Sequence, residues 1–142
     1  DNARTPMQWD DSENAGFTTG TPWFYVNENY KEVNVAAQEQ DENSILNFYR
    51  NVIKLRKELS CVRYGNYQEY GKYSSKFYTY SREDEKQKIL VVCSFVDHDE
   101  NWKVPAEFDL STAECVLCNY DTSESLQLRP YEARVYRLNN GE

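Results

Sequence analysis

The chain has no long apolar run. Its longest, Ile89 to Val92 continued by Cys93, is far short of the ~20 residues that a helical membrane span requires. It also has no excess of cations: 16 Lys and Arg stand against 24 Asp and Glu, a net charge of -8. Nucleic acid and anionic membrane surfaces, which need clustered Lys and Arg, are therefore not expected partners. Histidine is almost absent. His98 lies between Asp97 and Asp99 in a turn-like acidic segment and reads as a solvated loop residue. With so few imidazoles, Cys61, Cys93, Cys115 and Cys118 would have to draw the remaining ligands of any metal site from distant places. If 114–119 is a strand, the three-residue separation of Cys115 and Cys118 points their side chains to opposite faces. The expectation is four structural or free thiols, no metal, no cofactor and a reducing cytoplasm. Neither an initiating Met nor a signal-peptide pattern opens the chain, as expected of a piece of a longer protein.

What is present begins with Arg4-Thr5-Pro6-Met7-Gln8-Trp9-Asp10, continues through Asn14-Ala15-Gly16-Phe17-Thr18-Thr19-Gly20 and closes at Pro22-Trp23. Turn residues and prolines break every period of 2 or 3.6 across this segment, so it reads as one long ordered loop. Compact domains seldom keep such a loop without a function, and two tryptophans with one arginine suit a binding loop. Trp9, Trp23 and Trp102 are candidate platforms for a sugar ring; for Trp9 and Trp23, core or loop-anchoring roles are favoured. The Asp10 to Asn14 stretch resembles a calcium loop only superficially. Its glycine falls one position late, and Thr21 stands where a bidentate Glu is needed.

Short extended pieces are expected at 23–26 and 33–35, with a turn at 27–29 between them and an aperiodic polar stretch over 36–42. A helix follows, capped by Asp41 or Ser44, with Ile45, Phe48, Tyr49, Val52, Ile53, Leu55 and Leu59 forming a broad apolar face. Lys54, Arg56 and Lys57 suit its C-terminal dipole. From Cys61 onward the period changes to 2. Strands are expected at 62–64, 67–70, 77–81, 89–95, 114–119, 126–128 and 133–138, with turns between them, including 97–101 and 121–125, and fraying at 139–142. Tyr78 and Tyr80 share one face of their strand. Several short strands without intervening helices imply an antiparallel sandwich or partly closed barrel.

The Arg4 to Asp10 string, with its continuation to Val35, closely resembles the loop after the last barrel strand in the α-glucosidase and oligo-1,6-glucosidase branch of the α-amylase superfamily (glycoside hydrolase family 13). Leu128-Arg129-Pro130-Tyr131-Glu132-Ala133 resembles the start of the last strand of that family's C-terminal domain. At 142 residues the chain is too short for a (β/α)8 barrel of about 250. The resemblance thus implies a mainly β fold: an antiparallel Greek-key β sandwich over 61–142, preceded over 1–60 by the last loop and closing helix of a barrel. It implies a retaining α-glucosidase acting on short α-linked glucosides, with the missing barrel as partner of this part. The catalytic carboxylates lie upstream in the relatives, and their motifs do not occur here. Arg4 is the one residue carried over as functional, fixing hydroxyls of the terminal glucose, a task that suits a planar array of donors. The alternative is that Arg4 only pins the loop. The β region is expected to be a packing domain; the alternative is a carbohydrate-binding module. Trehalose-6-phosphate hydrolases and sucrose-acting relatives share much the same loop.

Overall fold

The computed structural model describes residues 2–121 and 125–138. The chain divides into two compact units, Asp1–Asn51 and Val52–Glu142. The expected fraying at 139–142 and most of the turn expected at 121–125 lie outside the described residues.

The first unit is loop punctuated by three single turns of 3-10 helix, Asn2–Arg4, Glu13–Gly16 and Glu28–Lys31, and by a short helix α1, Val35–Gln40. The extended pieces expected at 23–26 and 33–35 do not form. Over 23–26 the chain bends, and Trp23, Phe24 and Tyr25 pack on one another with ring centroids 5.5 and 4.8 Å apart. Over 33–35 no strand forms because Asn34, itself extended, is the cap of α1, which begins at Val35: its side-chain oxygen accepts from the Ala37 amide at 2.8 Å.

Helix α2, Ile45–Glu58, is the helix read from the apolar period. Ser44 rather than Asp41 caps it, its Oγ accepting from the Asn47 amide at 3.2 Å. No residue of α2 is buried. Ile45, Tyr49 and Ile53, one stripe at four-residue spacing, are 81%, 64% and 40% exposed. The strand expected at 62–64 is a second short helix, α3, Ser60–Tyr64. The apolar spacing of Leu55, Leu59 and Val62 continues the helical period past the end of α2. Gly65 closes α3 by donating its amide to the Cys61 carbonyl at 2.9 Å.

The rest of the second unit is antiparallel, as the period of 2 requires. Strands β1 (Asn66–Tyr70), β2 (Phe77–Glu83), β3 (Lys88–Ser94), β5 (Glu114–Cys118) and β7 (Ala133–Leu138) form one sheet in the order β1-β2-β3-β7-β5; β4 (Glu100–Asn101) and β6 (Gln127–Leu128) pair as a ribbon. β4 falls in what reads from sequence as a turn. The last strand returns between β3 and β5, a crossed connection of the Greek-key kind. One sheet face packs Leu90, Val92 and Tyr136 against Trp102, Phe108 and Leu128. The other packs Ile89 and Val91 against Leu59 and Cys61. Tyr78 and Tyr80 do share a face, with ring centroids 5.2 Å apart.

A bulge between Cys115 and Leu117 shifts the register of β5 on β7, so Cys115 faces Tyr136 while Cys118 faces Arg134. These two partners lie on one face of β7. The expectation that Cys115 and Cys118 point to opposite faces is therefore wrong, because the extra residue cancels the alternation. Both remain free thiols, as do Cys61 and Cys93.

Charge is buried where β7 begins. Glu132 is 0% and Arg134 1% exposed. The Glu132 carboxylate accepts from Arg134 Nε at 2.7 Å, from Arg129 Nε at 3.0 Å and Nη2 at 2.9 Å, and from the Arg129 amide at 2.8 Å. Cys118 Sγ adds a weak donor at 3.4 Å. Burial opposes the charged carboxylate, but the donors of Arg129 and Arg134 outweigh it and hold Glu132 far below the ordinary carboxylate range. Arg134 also donates Nη1 to the Ser125 carbonyl at 2.7 Å and to the Tyr136 hydroxyl at 3.1 Å. Tyr131 takes a left-handed φ of 54° to make the corner.

Candidate functional site

The loop that carries Arg4 is tied from three directions. Pro6 is buried and fixes the backbone at the centre of the motif. Two residues on, Gln8 bonds at both ends of its amide: Nε2 donates to Asn29 Oδ1 at 3.2 Å and to the Val33 carbonyl, and Oε1 accepts from Asn27 Nδ2 at 3.3 Å. Asn27 Nδ2 also reaches Thr5 Oγ1 at 3.3 Å. Beyond Gln8 the main chain itself is used. The Gln8 and Trp9 carbonyls accept the Val35 and Ala36 amides, both at 3.0 Å, which are the first unpaired donors of α1. The loop thus completes the helix cap from a distance of more than twenty residues in sequence, and the helix in turn holds the loop.

The far side of the motif is held by a turn. Asn14, Ala15 and Gly16 run consecutively through left-handed backbone, with φ of 55°, 58° and 65°. A side chain at Gly16 would meet the Asp10 carboxylate at 2.6 Å. The Ala15 carbonyl accepts from the amides of Trp9 at 2.9 Å and Asp10 at 3.3 Å, and Asn14 Nδ2 reaches the Thr18 and Gly20 carbonyls at 3.3 and 3.2 Å. Left-handed Ala is costly, and the surrounding bonds are what keep it so. Asp10 accepts from the Ser12 hydroxyl and, at 2.9 Å, from the Ser12 amide; these bonds lower its pKa. They make the carboxylate the acceptor of the turn. Among the described residues no cluster of metal-ligating side chains forms.

Arg4 stands on this frame, exposed, at the end of the first 3-10 turn. Beside it, Thr5, Pro6, Met7 and Gln8 meet Val33, Asn34, Val35 and Gln38 around a shallow hollow of about 250 Å³. Trp9 and Trp23 are not core residues: they are 50% and 74% exposed. Trp102 is the core tryptophan, 5% exposed, with its indole N–H donated to Thr79 Oγ1 at 3.1 Å. His98 is exposed between Asp97, 3.0 Å from Nδ1, and Glu100, and hydrogen bonding to Asp97 raises its pKa. The residues missed from sequence were the frame itself, Gln8, Asn27, Asn29 and Asn34. Their only signal was an unusual density of amide side chains around the loop.

The alpha amylase, catalytic domain profile matches residues 1–65. The oligo-1,6-glucosidase of Parageobacillus thermoglucosidasius is 43% identical over 97% of this chain and 25% of its own length. That of Halalkalibacterium halodurans is 46% identical over 96% of this chain and 25% of its own length. Among solved structures, Bacillus licheniformis trehalose-6-phosphate hydrolase superposes with a TM-score of 0.89 at 36% identity, over 99% of this chain and 26% of that one. The chain therefore spans about a quarter of the length of the relatives it matches. The motif loop, the antiparallel sheet and similarity along almost the whole chain agree: this chain is similar, from end to end, to a part of enzymes of the α-amylase family.

Proposed function

We infer that this chain works as part of an α-glucosidase that cleaves short α-linked glucosides with retention. In this reading residues 1–60 are the last loop and closing helix of a (β/α)8 barrel, and residues 61–142 are a packing domain without catalytic carboxylates of its own. Arg4 binds the terminal glucose. Retaining hydrolysis needs two carboxyl groups about 5 to 5.5 Å apart, and those would come from the barrel.

The observation that carries the reading is the build of the Arg4 loop. Hydrogen bonds to Thr5, from Gln8 and from the α1 amides, with a left-handed turn beyond, commit many polar groups to fixing one exposed arginine. Such rigidity is of little use to a surface loop, and of much use to a residue that must meet a hydroxyl to within a fraction of an ångström. The uncovered stripe of Ile45, Tyr49 and Ile53 supports a barrel partner, since a helix with that face needs an apolar neighbour. The names of the relatives, oligo-1,6-glucosidase and trehalose-6-phosphate hydrolase, support the glucoside class.

The test is kinetic. With this chain replacing the matching quarter of the P. thermoglucosidasius enzyme, the hybrid should hydrolyse isomaltose, whereas the 142-residue chain alone should not. Arg4→Ala in the hybrid removes a charge-assisted bond worth roughly 1.5–3 kcal/mol, so kcat/KM should fall by about one to two orders of magnitude. Arg4→Lys should recover little, because a point charge lacks the forked geometry. Unchanged kinetics in a folded Arg4→Ala hybrid would reduce Arg4 to a loop pin.

A further inference from the structure

A second concave site lies within the β region, apart from the Arg4 loop in sequence and built from different chemistry. Where β2 begins, Tyr70, Phe77 and Trp102 meet Val104 and Pro105 around an open cavity of about 500 Å³. That is the size class of small-molecule clefts, about 300–1,000 Å³. Its apolar wall is fixed from behind: Tyr70 stands edge-on to Phe108 at 5.2 Å, and Trp102 stacks on Tyr136 at 6.2 Å. The indole N–H of Trp102 is already spent on Thr79, and Ser74 Oγ already accepts the Lys76 and Phe77 amides. Two polar side chains on the rim differ. The Asn101 amide and the Lys103 ammonium make no side-chain hydrogen bond among the described residues, and Lys103 is the only charge in the lining.

We propose that this cavity is a binding site for a short neutral α-glucoside of one or two glucosyl units. A pyranose has an apolar face of C–H groups and a rim of hydroxyls. The cavity offers the complement, an aromatic wall with two unengaged donors beside it. A purely apolar ligand would leave those donors idle. A strongly anionic one would find a single cation and no second donor cluster, whereas anion recognition ordinarily assembles several. The choice of an α-glucoside as ligand rests on the functional reading above. The packing role of the domain and the wall share residues: Trp102 lies in one cluster with Leu90, Val92 and Leu128, and Tyr70, Phe77 and Val104 pack against it, so the core itself holds the wall in place.

The experiment is a titration of the 15N-labelled chain with maltose and isomaltose, read by amide and indole chemical shifts. Saturable millimolar binding is expected, with shifts concentrated at the Trp102 indole N–H, the Thr79 amide and the Asn101 side-chain amide. Asn101→Ala and Lys103→Ala change exposed side chains and should preserve the spectrum of the fold. Each lost hydrogen bond should weaken binding by about two- to tenfold. Ala106→Trp, which places a bulky ring in the lining, should abolish it. Absence of saturable shifts, shifts that map elsewhere, or variants that bind like the parent chain would overturn the site. Equal binding of cellobiose would overturn the ligand class, and so would binding confined to trehalose 6-phosphate. No catalysis enters this measurement. Failure here with a large Arg4→Ala effect in the hybrid refutes the cavity alone, and the reverse pair of results refutes the catalytic reading alone.

Discussion

Removing the Glu132 carboxylate while Arg134 stays in place should be among the most damaging single changes in the β region. Glu132 is fully enclosed and meets both guanidinium groups, one of them almost as deeply buried as itself. Desolvating such a pair costs several kcal/mol, which the bonds between them offset. Taking away one partner keeps the cost and loses the offset, a penalty of about 3–5 kcal/mol in comparable buried pairs. Glu132→Gln keeps the shape and removes the charge, so it isolates the electrostatic part. Urea unfolding followed by far-UV circular dichroism should show the midpoint falling by about 1–2 M or more, for a denaturant slope of about 1–3 kcal/mol per molar. The double change Glu132→Leu with Arg134→Met should cost less than Glu132→Gln alone, since the deeply buried guanidinium leaves with the carboxylate and the one that remains, Arg129, is partly exposed. The pH dependence follows the same logic. The carboxyl is held far below its unfolded value, so its contribution is complete at neutral pH. The unfolded chain binds more protons as pH falls below about 4.3, and stability should decline from there downward. In Glu132→Gln that acid-side decline should shrink. A midpoint shift worth less than 1 kcal/mol, or an unchanged acid limb, would refute the argument.

Two further changes probe other parts of the frame. A methyl at Gly65 would lie 2.5 Å from the Cys61 carbonyl oxygen and 2.7 Å from that of Glu83, both main chain and neither able to yield cheaply. Gly65→Ala should therefore destabilise the second unit by about 1–3 kcal/mol, checked by the same urea midpoint. The exposed stripe of α2 should make the isolated chain associate as concentration rises; Ile45→Lys with Ile53→Lys should restore a monomer in sedimentation velocity, and a monomeric parent chain at high concentration would count against the uncovered face.

Most of the β architecture was legible because strands with one buried face must alternate. Positions 77–81 alternate, and Ile89 to Val92 form a short continuous apolar run buried on both faces; each places its strand, β2 or β3, within a residue or two of its ends. Helix α2 was legible for the corresponding reason. What escaped has a common cause, dependence on partners remote in sequence. Helix α1 has no amphipathic period and is supported by carbonyls of Gln8 and Trp9, which no local window contains. The α3 helix replaced a strand because Leu59 and Cys61 are needed under the sheet, and that need is set by β3. Glu132 and Arg134 read as surface charges by type, although their alternation with Tyr136 was a usable sign that all three face inward. At the Arg4 loop the motif drew attention to the arginine through family resemblance. The amides that hold it only acquire meaning once Asn27, Asn29 and Asn34 come into reach.

The bulge in β5 has a consequence outside the folded monomer. β5 is one of the two outer strands of the sheet, and its free side could in principle template a strand from another molecule. An incoming strand would need an unbroken ladder of evenly spaced amides and carbonyls. Between Cys115 and Leu117 that spacing is broken, so a foreign strand could zip along only two or three residues before losing step. Straightening it by deleting Val116 would hand the sheet a regular, apolar rim, and with it a nucleus for fibrils.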